Sequence, residues 1–151
     1  MKIFETLEDL SAQVGQLVGS SPWVTITQAQ IQQFADATGD HQWIHVDPER
    51  ARTGPFGSTI AHGFLTLSLL PQFFEKTIAV RGARMAVNYG LNKVRFLAPV
   101  PVDSRLRAHF TLVKSDAIDG NGMQMLWEMS VEREGQAKPV CVAESLLRQY
   151  A

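Results

Sequence analysis

Asp40 and His45 are the residues of this chain whose types and spacing are best suited to chemistry on a small molecule. They stand at the two ends of "DHQWIH", with Trp43 and Ile44 between them. A solvated loop has no need for the two apolar residues, and a packed core has no need for an acid and an imidazole. The mixture therefore predicts polar groups held in place at an apolar wall.

A carboxylate and an imidazole in one irregular segment can both point at the same small molecule. Together they could hold a water, remove one of its protons and deliver another to a substrate. Histidine suits this task because its unperturbed pKa of about 6.5 lets it change charge near neutral pH. An Asp and a His at this spacing also arise by chance, so the pair alone does not define a site.

A second candidate lies in "AHGF", residues 61–64, which opens a long apolar segment. Gly63 permits close backbone approach, and an amide in the first turn of a helix has no intrahelical acceptor. The helix dipole adds about half a positive charge at that end, which would stabilise an oxygen that gains negative charge. The alternative interpretation is that Gly63 only lets a helix begin close to a neighbouring backbone.

The elements that must position these residues begin with short helices and a strand. "TLEDLSAQV" predicts a helix with a capping box at Thr6 and Asp9, and "PWVTI" predicts a short strand. A second helix is expected to begin after Thr27 and to stop at Gly39. Asp40 therefore lies just past the end of that helix.

The segment after Asp40 is predicted to be irregular as far as Ser58, except for one turn of helix in "PERAR" capped by Asp47. "IAHGFLTLSLLPQFFEKTI" follows, and its apolar character on nearly all sides indicates one long buried helix at about residues 63–80. Pro71 is expected to kink this helix or to end its regular part.

The second half of the chain contains four extended runs, the middle two joined by the hairpin signal "DGNG". In "RLRAHFTLVK" the apolar residues alternate with polar ones, so that one face is apolar. The sheet must bury that face, and the helix at 63–80 is the only element apolar enough to cover it. We therefore expect an α+β fold in which an antiparallel sheet wraps around a long central helix.

Composition limits the classes of function. A chain of 151 residues is most simply one domain, and 14 Lys and Arg against 15 Asp and Glu leave a net charge of −1 without a basic stripe. Nucleic-acid binding is therefore not expected. No signal peptide is indicated, and no apolar stretch approaches the ~18 residues of a membrane span. Cys141, alone in an apolar run, indicates a buried spacer and a cytoplasmic protein.

"ATGDHQWIHVDPERA", followed by "GPFGSTIAHGFLTLSLL" and "NYGLNKVRFLAPVPVDSRLR", resembles the MaoC-like dehydratase family. These are the (R)-specific enoyl-CoA hydratases with a hot-dog fold, and the likeness is greatest to the branch of nodulation protein N. The matching segments cover about residues 30–107. The resemblance implies one MaoC-like hot-dog domain over residues 1–151, and reversible syn addition of water to a trans-2-enoyl-CoA, giving a (3R)-hydroxyacyl-CoA.

The resemblance also assigns roles to individual residues. Asp40 and His45 match the catalytic pair that activates a water, and the Gly63 N–H matches the donor to the thioester carbonyl. No metal or redox cofactor is implied, and a homodimer with the acyl-CoA near the subunit boundary is expected. Where the family commonly has Asn-Pro, this chain has Gln42-Trp43. The Gln42 amide could still support the pair, whereas Trp43 could change the shape of the acyl pocket.

Further candidates have both a structural and a functional interpretation. His62 could hydrogen-bond near the loop or line the site, and some family members have a serine where this chain has Pro71, so no catalytic serine is assigned. Phe56 and Phe64 could line the acyl pocket or belong to the core. Four polar residues could contact the CoA phosphates or only satisfy a sheet edge: Asn88, Asn92, Lys93 and Arg95.

Three competing hypotheses remain at the level of sequence. His41 and His45, four apart and next to Asp40, could suggest a metal site, but "QWIHV" looks extended rather than helical, and no metal is expected. A hot-dog thioesterase would need an acid on the central helix, where Glu75 comes late. A non-catalytic acyl-CoA-binding subunit would have no reason to retain both Asp40 and His45.

Overall fold

The computed structural model describes the whole chain, Met1–Ala151, and its main feature is a six-stranded antiparallel sheet. Along the sheet the order is β2-β6-β7-β8-β5, and β3 also pairs with β6. β1 and β4 form a separate parallel pair. The strands are β1 (Lys2–Phe4), β2 (Leu17–Ser20), β3 (Val24–Thr25), β4 (Ile78–Val80), β5 (Met85–Phe96), β6 (Arg105–Ile118), β7 (Gly122–Arg133) and β8 (Cys141–Tyr150).

The helices are short and precede the long strands. Those that matter for the site are α2, which ends at Gly39, the two single turns α3 and α4, and the two buried helices α5 and α6. None combines the length and the apolar composition that crossing a membrane would require. The helices are α1 (Leu7–Ser11), α2 (Gln28–Thr38), α3 (Trp43–Val46), α4 (Pro48–Arg52), α5 (Gly63–Ser68) and α6 (Leu70–Glu75).

The predicted caps are present. Thr6 and Asp9 form the capping box of α1, Thr27 accepts from the Gln30 amide at the start of α2, and the Asp47 side chain caps α4. Gly39 ends α2 in the left-handed conformation, with φ of 79°, a conformation that favours glycine.

The core lies between one face of the sheet and the two helices α5 and α6. In β6 the predicted alternation is confirmed, because Leu106, Ala108, Phe110 and Leu112 are all completely buried. The rings of Phe74 from α6 and Trp127 from β7 meet edge to face at 5.1 Å between centroids. The sheet thus buries its apolar face against the central helical segment.

The central segment differs from the predicted long helix in two ways. Its regular hydrogen bonding breaks at Leu69, and Pro71 stands in the first turn of α6, as expected for a residue without an amide hydrogen. The helix ends at Glu75 rather than near residue 80, because the chain turns into β4 and pairs with β1. The prediction of helix beyond Glu75 was therefore wrong, and β1, β2 and β4 were not anticipated.

Two turns agree with their sequence signals. Gly120 and Asn121 both have positive φ, 78° and 57°, in the tight connection between β6 and β7. Pro99 and Pro101 lie beyond the end of β5, as their missing amide hydrogens require. β5 itself pairs only with β8, so its other edge is free.

Candidate active site

His45 lies in α3, a single helical turn, and only 6% of it is exposed. Its Nδ1 lies 2.7 Å from the carbonyl oxygen of Ile60. Since a carbonyl can only accept, Nδ1 must carry the hydrogen, and the lone pair of the neutral ring is on Nε2. Burial lowers the pKa of His45, while the bond to Ile60 partly opposes that shift. At neutral pH the ring is therefore a neutral base with Nε2 free.

Asp40 is brought next to this base by the left-handed turn at Gly39. Its carboxylate accepts from the backbone N–H of Gln42 at 3.3 Å and is otherwise exposed. One carboxylate oxygen of Asp40 and one ring nitrogen each of His45 and His62 all lie within 4.8 Å of one another. A single water between Asp40 and His45 is therefore geometrically feasible.

His62, the residue before α5, contacts both the backbone of Asp40 and the ring of His45. Its Nε2 donates to the Asp40 carbonyl at 2.9 Å, and its ring stacks on that of His45, with centroids 3.8 Å apart and planes 24° from parallel. Only 2% of His62 is exposed, and its Nδ1 is buried without a partner. His62 thus restrains the backbone of the acid and the ring of the base together.

Gly63 begins α5, so its amide has no intrahelical acceptor. A Cβ at this position would lie 2.9 Å from two ring carbons of Phe96, which no real contact tolerates. The close neighbour of Gly63 is therefore a side chain of β5, whereas the sequence suggested a neighbouring backbone.

His45 and Gly63 border the same cavity, which has a volume of about 350 Å³ and is mostly apolar. Its other walls come from the loop before α5, from α5 and from the end of β5 with the following loop; they include Phe56, Ile60, Thr66, Phe96, Val100 and Val140. A neutral base, a carboxylate beside it and a free helix-start amide at an apolar cavity can activate a water against a polarised, largely apolar substrate.

The same cluster has the donor types of a metal site, but its geometry is unsuited to one ion. The lone pairs of an imidazole lie in the ring plane, and the planes of His45 and His62 are stacked nearly parallel. Their lone pairs therefore do not converge on one point at metal–nitrogen distances of about 2.1 Å.

The histidine pair considered from sequence is also separated. "QWIHV" contains a helical turn, so the expectation of an extended segment was wrong. His41 nevertheless does not join His45, because its Nε2 binds the Asp36 carboxylate at 2.9 Å. That hydrogen bond raises the pKa of His41 and holds its ring on the surface.

Three of the predicted site residues do not place their side chains at the cavity within a single chain. Trp43 packs against Gly54 and under the Arg50 guanidinium, at 4.4 Å from its ring centroid, and does not border the cavity. Gln42 contacts Asp40 through its backbone N–H, not through the side-chain amide. Phe64 is 67% exposed and meets Phe96 edge to face at 5.7 Å.

The predicted substrate contacts divide in the same way. Phe56 borders the cavity, but the four polar candidates lie on exposed β5, none of them at the cavity: Asn88, Asn92, Lys93 and Arg95. Asn88 lies instead in a separate depression between β5 and the helices. Cys141 is fully buried in β8, and desolvation raises its pKa to about 11, which confirms the inert spacer.

Sequence reasoning missed most of the residues that border the cavity, Thr66 and Phe96 among them. Thr66 lies one turn after Gly63, on the same side of α5, and helical spacing alone could have placed it there. Phe96 comes from the end of β5, far away in sequence, and no local pattern could have brought it to Gly63.

Comparisons with known proteins agree with this geometry. A family model described as MaoC like domain matches residues 9–133. The chain is 58% identical, over the full length of both proteins, to 3-hydroxyacyl-thioester dehydratase Z of Mycobacterium tuberculosis. It is 45% identical over 140 residues to nodulation protein N of Rhizobium leguminosarum, covering 91% of this chain and 87% of that one.

A solved structure confirms the fold. The unliganded R-hydratase PhaJ1 of Pseudomonas aeruginosa superposes with a TM-score of 0.70 at 24% identity, covering 91% of this chain and 81% of the other. The predicted α+β hot-dog architecture, with an antiparallel sheet around central helices, is the observed one.

Proposed function

The chain belongs to the MaoC-like dehydratase family, and from this membership and the site we propose that it is an (R)-specific enoyl-CoA hydratase. The family and the 58% identical relative identify it as an enzyme of the hydro-lyase class. The proposed reaction is reversible syn hydration of a trans-2-enoyl thioester to the (3R)-hydroxyacyl thioester. A cytoplasmic location is part of the same proposal.

One observation carries the proposal. The hydrogen bond from His45 Nδ1 to Ile60 fixes the tautomer that leaves the lone pair on Nε2, and the ring borders the same cavity as Gly63. One ring nitrogen of His45 also lies within 4.8 Å of a carboxylate oxygen of Asp40. A base of lowered pKa is unprotonated at neutral pH, which a water-activating group requires.

The proposed chemistry uses the three groups in sequence. Asp40 and His45 orient one water, and His45 Nε2 accepts its proton as the oxygen bonds to C3 of the substrate. The electron pair of the C2=C3 double bond moves toward the thioester oxygen, where the Gly63 N–H stabilises the enolate-like charge. The proton then passes to C2 from the same face, which completes syn addition. His62 supports the pair, and Gln42 contributes its backbone N–H.

The cavity suggests the substrate class. Its volume of about 350 Å³ is near the lower end of the about 300–1,000 Å³ typical of ligand pockets, which favours a short or medium acyl chain. Phe56 and Ile60 are apolar wall residues for that chain. The CoA part would extend outside the cavity, where Lys93 and Arg95 are candidate phosphate contacts. Asn88, Asn92, Trp43 and Phe64 do not border this cavity and are candidates for contact with the CoA part or with substrate bound to a second subunit.

We also propose a homodimer in which β5 of one copy pairs with β5 of another. β5 has a free edge, and all but one of its twelve residues are exposed in the single chain. Free edges with apolar side chains are rarely left uncovered in folded proteins. The end of β5 carries Phe96 at the cavity, so this dimer would place the substrate site close to the subunit boundary.

A thioesterase is the second candidate reaction on the same substrate. The acid it would need on the central helix is Glu75, which is exposed at the end of α6 and does not border the His45 cavity. The helix contributes Thr66 to that cavity instead. This position of Glu75 favours hydration over hydrolysis, and a non-catalytic acyl-binding subunit would not need the restrained base.

The test is a panel of trans-2-enoyl-CoA substrates of increasing chain length, mixed with the purified protein and no added cofactor. We expect loss of the enoyl absorbance and formation of the (3R)-hydroxy product, identified by chiral analysis. Release of free thiol without hydration would indicate the thioesterase, and binding without turnover would indicate the silent subunit. Repeating the panel with carrier-protein thioesters identifies the physiological carrier.

A further inference from the structure

Gln28, the first residue of α2, forms two side-chain hydrogen bonds, one with His45 and one with Thr59. Its Nε2 donates to the carbonyl of His45 at 2.8 Å, and its Oε1 accepts from the hydroxyl of Thr59 at 2.5 Å. Thr59 is 2% exposed and directly precedes Ile60, whose carbonyl holds His45 Nδ1. One side-chain amide therefore connects the backbone of the base with the segment that fixes its tautomer.

We infer that Gln28 and Thr59 are positioning residues that keep His45 and the Ile60 carbonyl at hydrogen-bonding distance. This inference rests on the proposed role of His45 as the base. Neither residue borders the cavity, so neither contacts substrate in this arrangement. We call the pair the Gln28–Thr59 clamp.

The surroundings explain why the clamp is needed. The Ile60 segment belongs to no helix or long strand; it is held by the bond from Ile60 N to the Ile44 carbonyl at 3.0 Å and by an isolated bridge to Pro101. α3 is a single turn and cannot keep its own orientation without outside contacts. The clamp adds a bond from a longer helix, α2, to both weakly held segments.

At neutral pH the Gln28 amide performs two tasks that an ionised carboxylate of the same shape cannot combine. It must donate to one oxygen, the His45 carbonyl, and accept from another, the Thr59 hydroxyl. An ionised carboxylate of the same shape still accepts from Thr59 but repels the carbonyl of His45. A neutral carboxyl group regains the donor. The Gln28→Glu variant should therefore depend on pH in a way that a packing defect would not.

The experiment compares Gln28→Glu with wild type across about pH 4.0–8.5, a range that includes the ordinary pKa values of glutamate, about 4.3, and of histidine, about 6.5. At the alkaline end we expect kcat to fall roughly 10- to 100-fold with little change in KM, because a misplaced base affects the transition state and not substrate binding. The ratio of mutant to wild-type kcat should rise as pH falls and the new carboxyl group takes up its proton. Gln33→Glu, on the exposed side of α2, adds the same charge and should leave kcat unchanged.

Thr59→Val is the second variant, because it removes the hydroxyl while keeping the shape. Its effect on kcat should not add to that of Gln28→Glu in the double variant, since both break one connection. A ratio that does not change with pH, additive effects, or a change in KM alone would each overturn the clamp.

Nitrogen-15 NMR of the His45 ring separates this inference from the proposed function, because it requires no turnover. The wild-type spectrum should show hydrogen on Nδ1, and the clamp variants should show a mixture of tautomers. An unchanged tautomer in folded Gln28→Glu and Thr59→Val would overturn the clamp even in an active enzyme. If wild type shows the clamped tautomer but hydrates no enoyl thioester, the proposed function fails and the clamp stands.

Discussion

Two regions of the molecule differ in how many partners they find within one chain. One is the candidate site segment, residues 40–63, and the other is the edge strand β5. Between Asp40 and Gly63, the histidine rings have hydrogen-bond partners inside the chain, His45 Nδ1 with the Ile60 carbonyl and His62 Nε2 with the Asp40 carbonyl, and only His62 Nδ1 is buried without one. β5 has the opposite character. Its free edge lacks a neighbour, and large side chains such as Tyr89 and Leu91 are about half exposed.

This difference indicates that the proposed catalytic pair, Asp40 and His45, is organised within one chain, whereas part of the cavity wall, including Phe96, comes from the exposed strand β5. Restrained side chains avoid reorganisation during the reaction. An exposed apolar strand edge gains stability when a second copy covers it. The two regions should therefore respond differently to mutation, the first by loss of chemistry and the second by loss of assembly.

The largest effect, a loss of kcat, is expected when Asp40 or His45 is substituted and β5 is left unchanged. Asp40→Asn and His45→Gln keep the size of the side chain but remove the carboxylate and the imidazole lone pair. Each should lower kcat for enoyl-CoA hydration by roughly 10²–10⁴, the usual contribution of a general acid–base group. Steady-state kinetics measures the effect, and light scattering should show an unchanged assembly.

The matched control for His45→Gln is His41→Gln. His41 lies in the same segment but bonds to Asp36 on the surface, so its loss should change kcat less than twofold. Folded, fully active Asp40→Asn and His45→Gln proteins would contradict the assignment of the site.

The sequence predicted which residues of this segment come together better than it predicted the shape of the segment. Asp40, His45 and Gly63 were recognised by type and spacing, and they do meet at one cavity or within reach of it. The helical turn α3 was missed because one turn is set by contacts with α2 and not by local propensity. No periodicity marks a residue such as Gln28, whose proposed role depends on one acceptor, the His45 carbonyl, and one donor, the Thr59 hydroxyl, both distant in sequence.

The strands show the same limit. The alternation in β6 predicted burial correctly because that strand is covered within the chain. β5 lacks such alternation, and its sequence could not say which of its residues face a substrate, a second subunit or solvent. β1 and β4 were missed because three residues are too few to show a period.

The second effect, smaller than the first, is expected when β5 is changed without touching the pair. Leu91→Lys places a charge on the exposed strand and should weaken the proposed dimer by about 2 kcal/mol, roughly thirtyfold in the dissociation constant. Val113→Lys, at an exposed position of β6, is the matched control and should leave assembly unchanged. Light scattering over a range of concentrations measures the shift.

A protein that stays monomeric at all concentrations and is active would contradict the proposed dimer. A dimer unaffected by Leu91→Lys would place the interface elsewhere on the surface. In either case the His45 tautomer should be unchanged in this variant, because its restraints lie within one chain.

The smallest effect is expected at the contact that joins the two regions, where Phe96 of β5 lies against Gly63. Gly63→Ala keeps the backbone N–H but puts a methyl group 2.9 Å from the Phe96 ring, so the ring must move. Because Phe96 is 43% exposed, its side chain can shift toward solvent, and we expect a loss of stability of only about 1 kcal/mol and a few-fold lower kcat. Phe96→Ala removes Cγ together with the ring, so in that background Gly63→Ala should lower neither stability nor kcat, measured by denaturant unfolding and kinetics against Phe96→Ala alone. Recovery of stability without recovery of kcat would mean that the methyl group disturbs the amide itself, and the two regions would then be joined through the oxyanion donor rather than through the wall of the cavity.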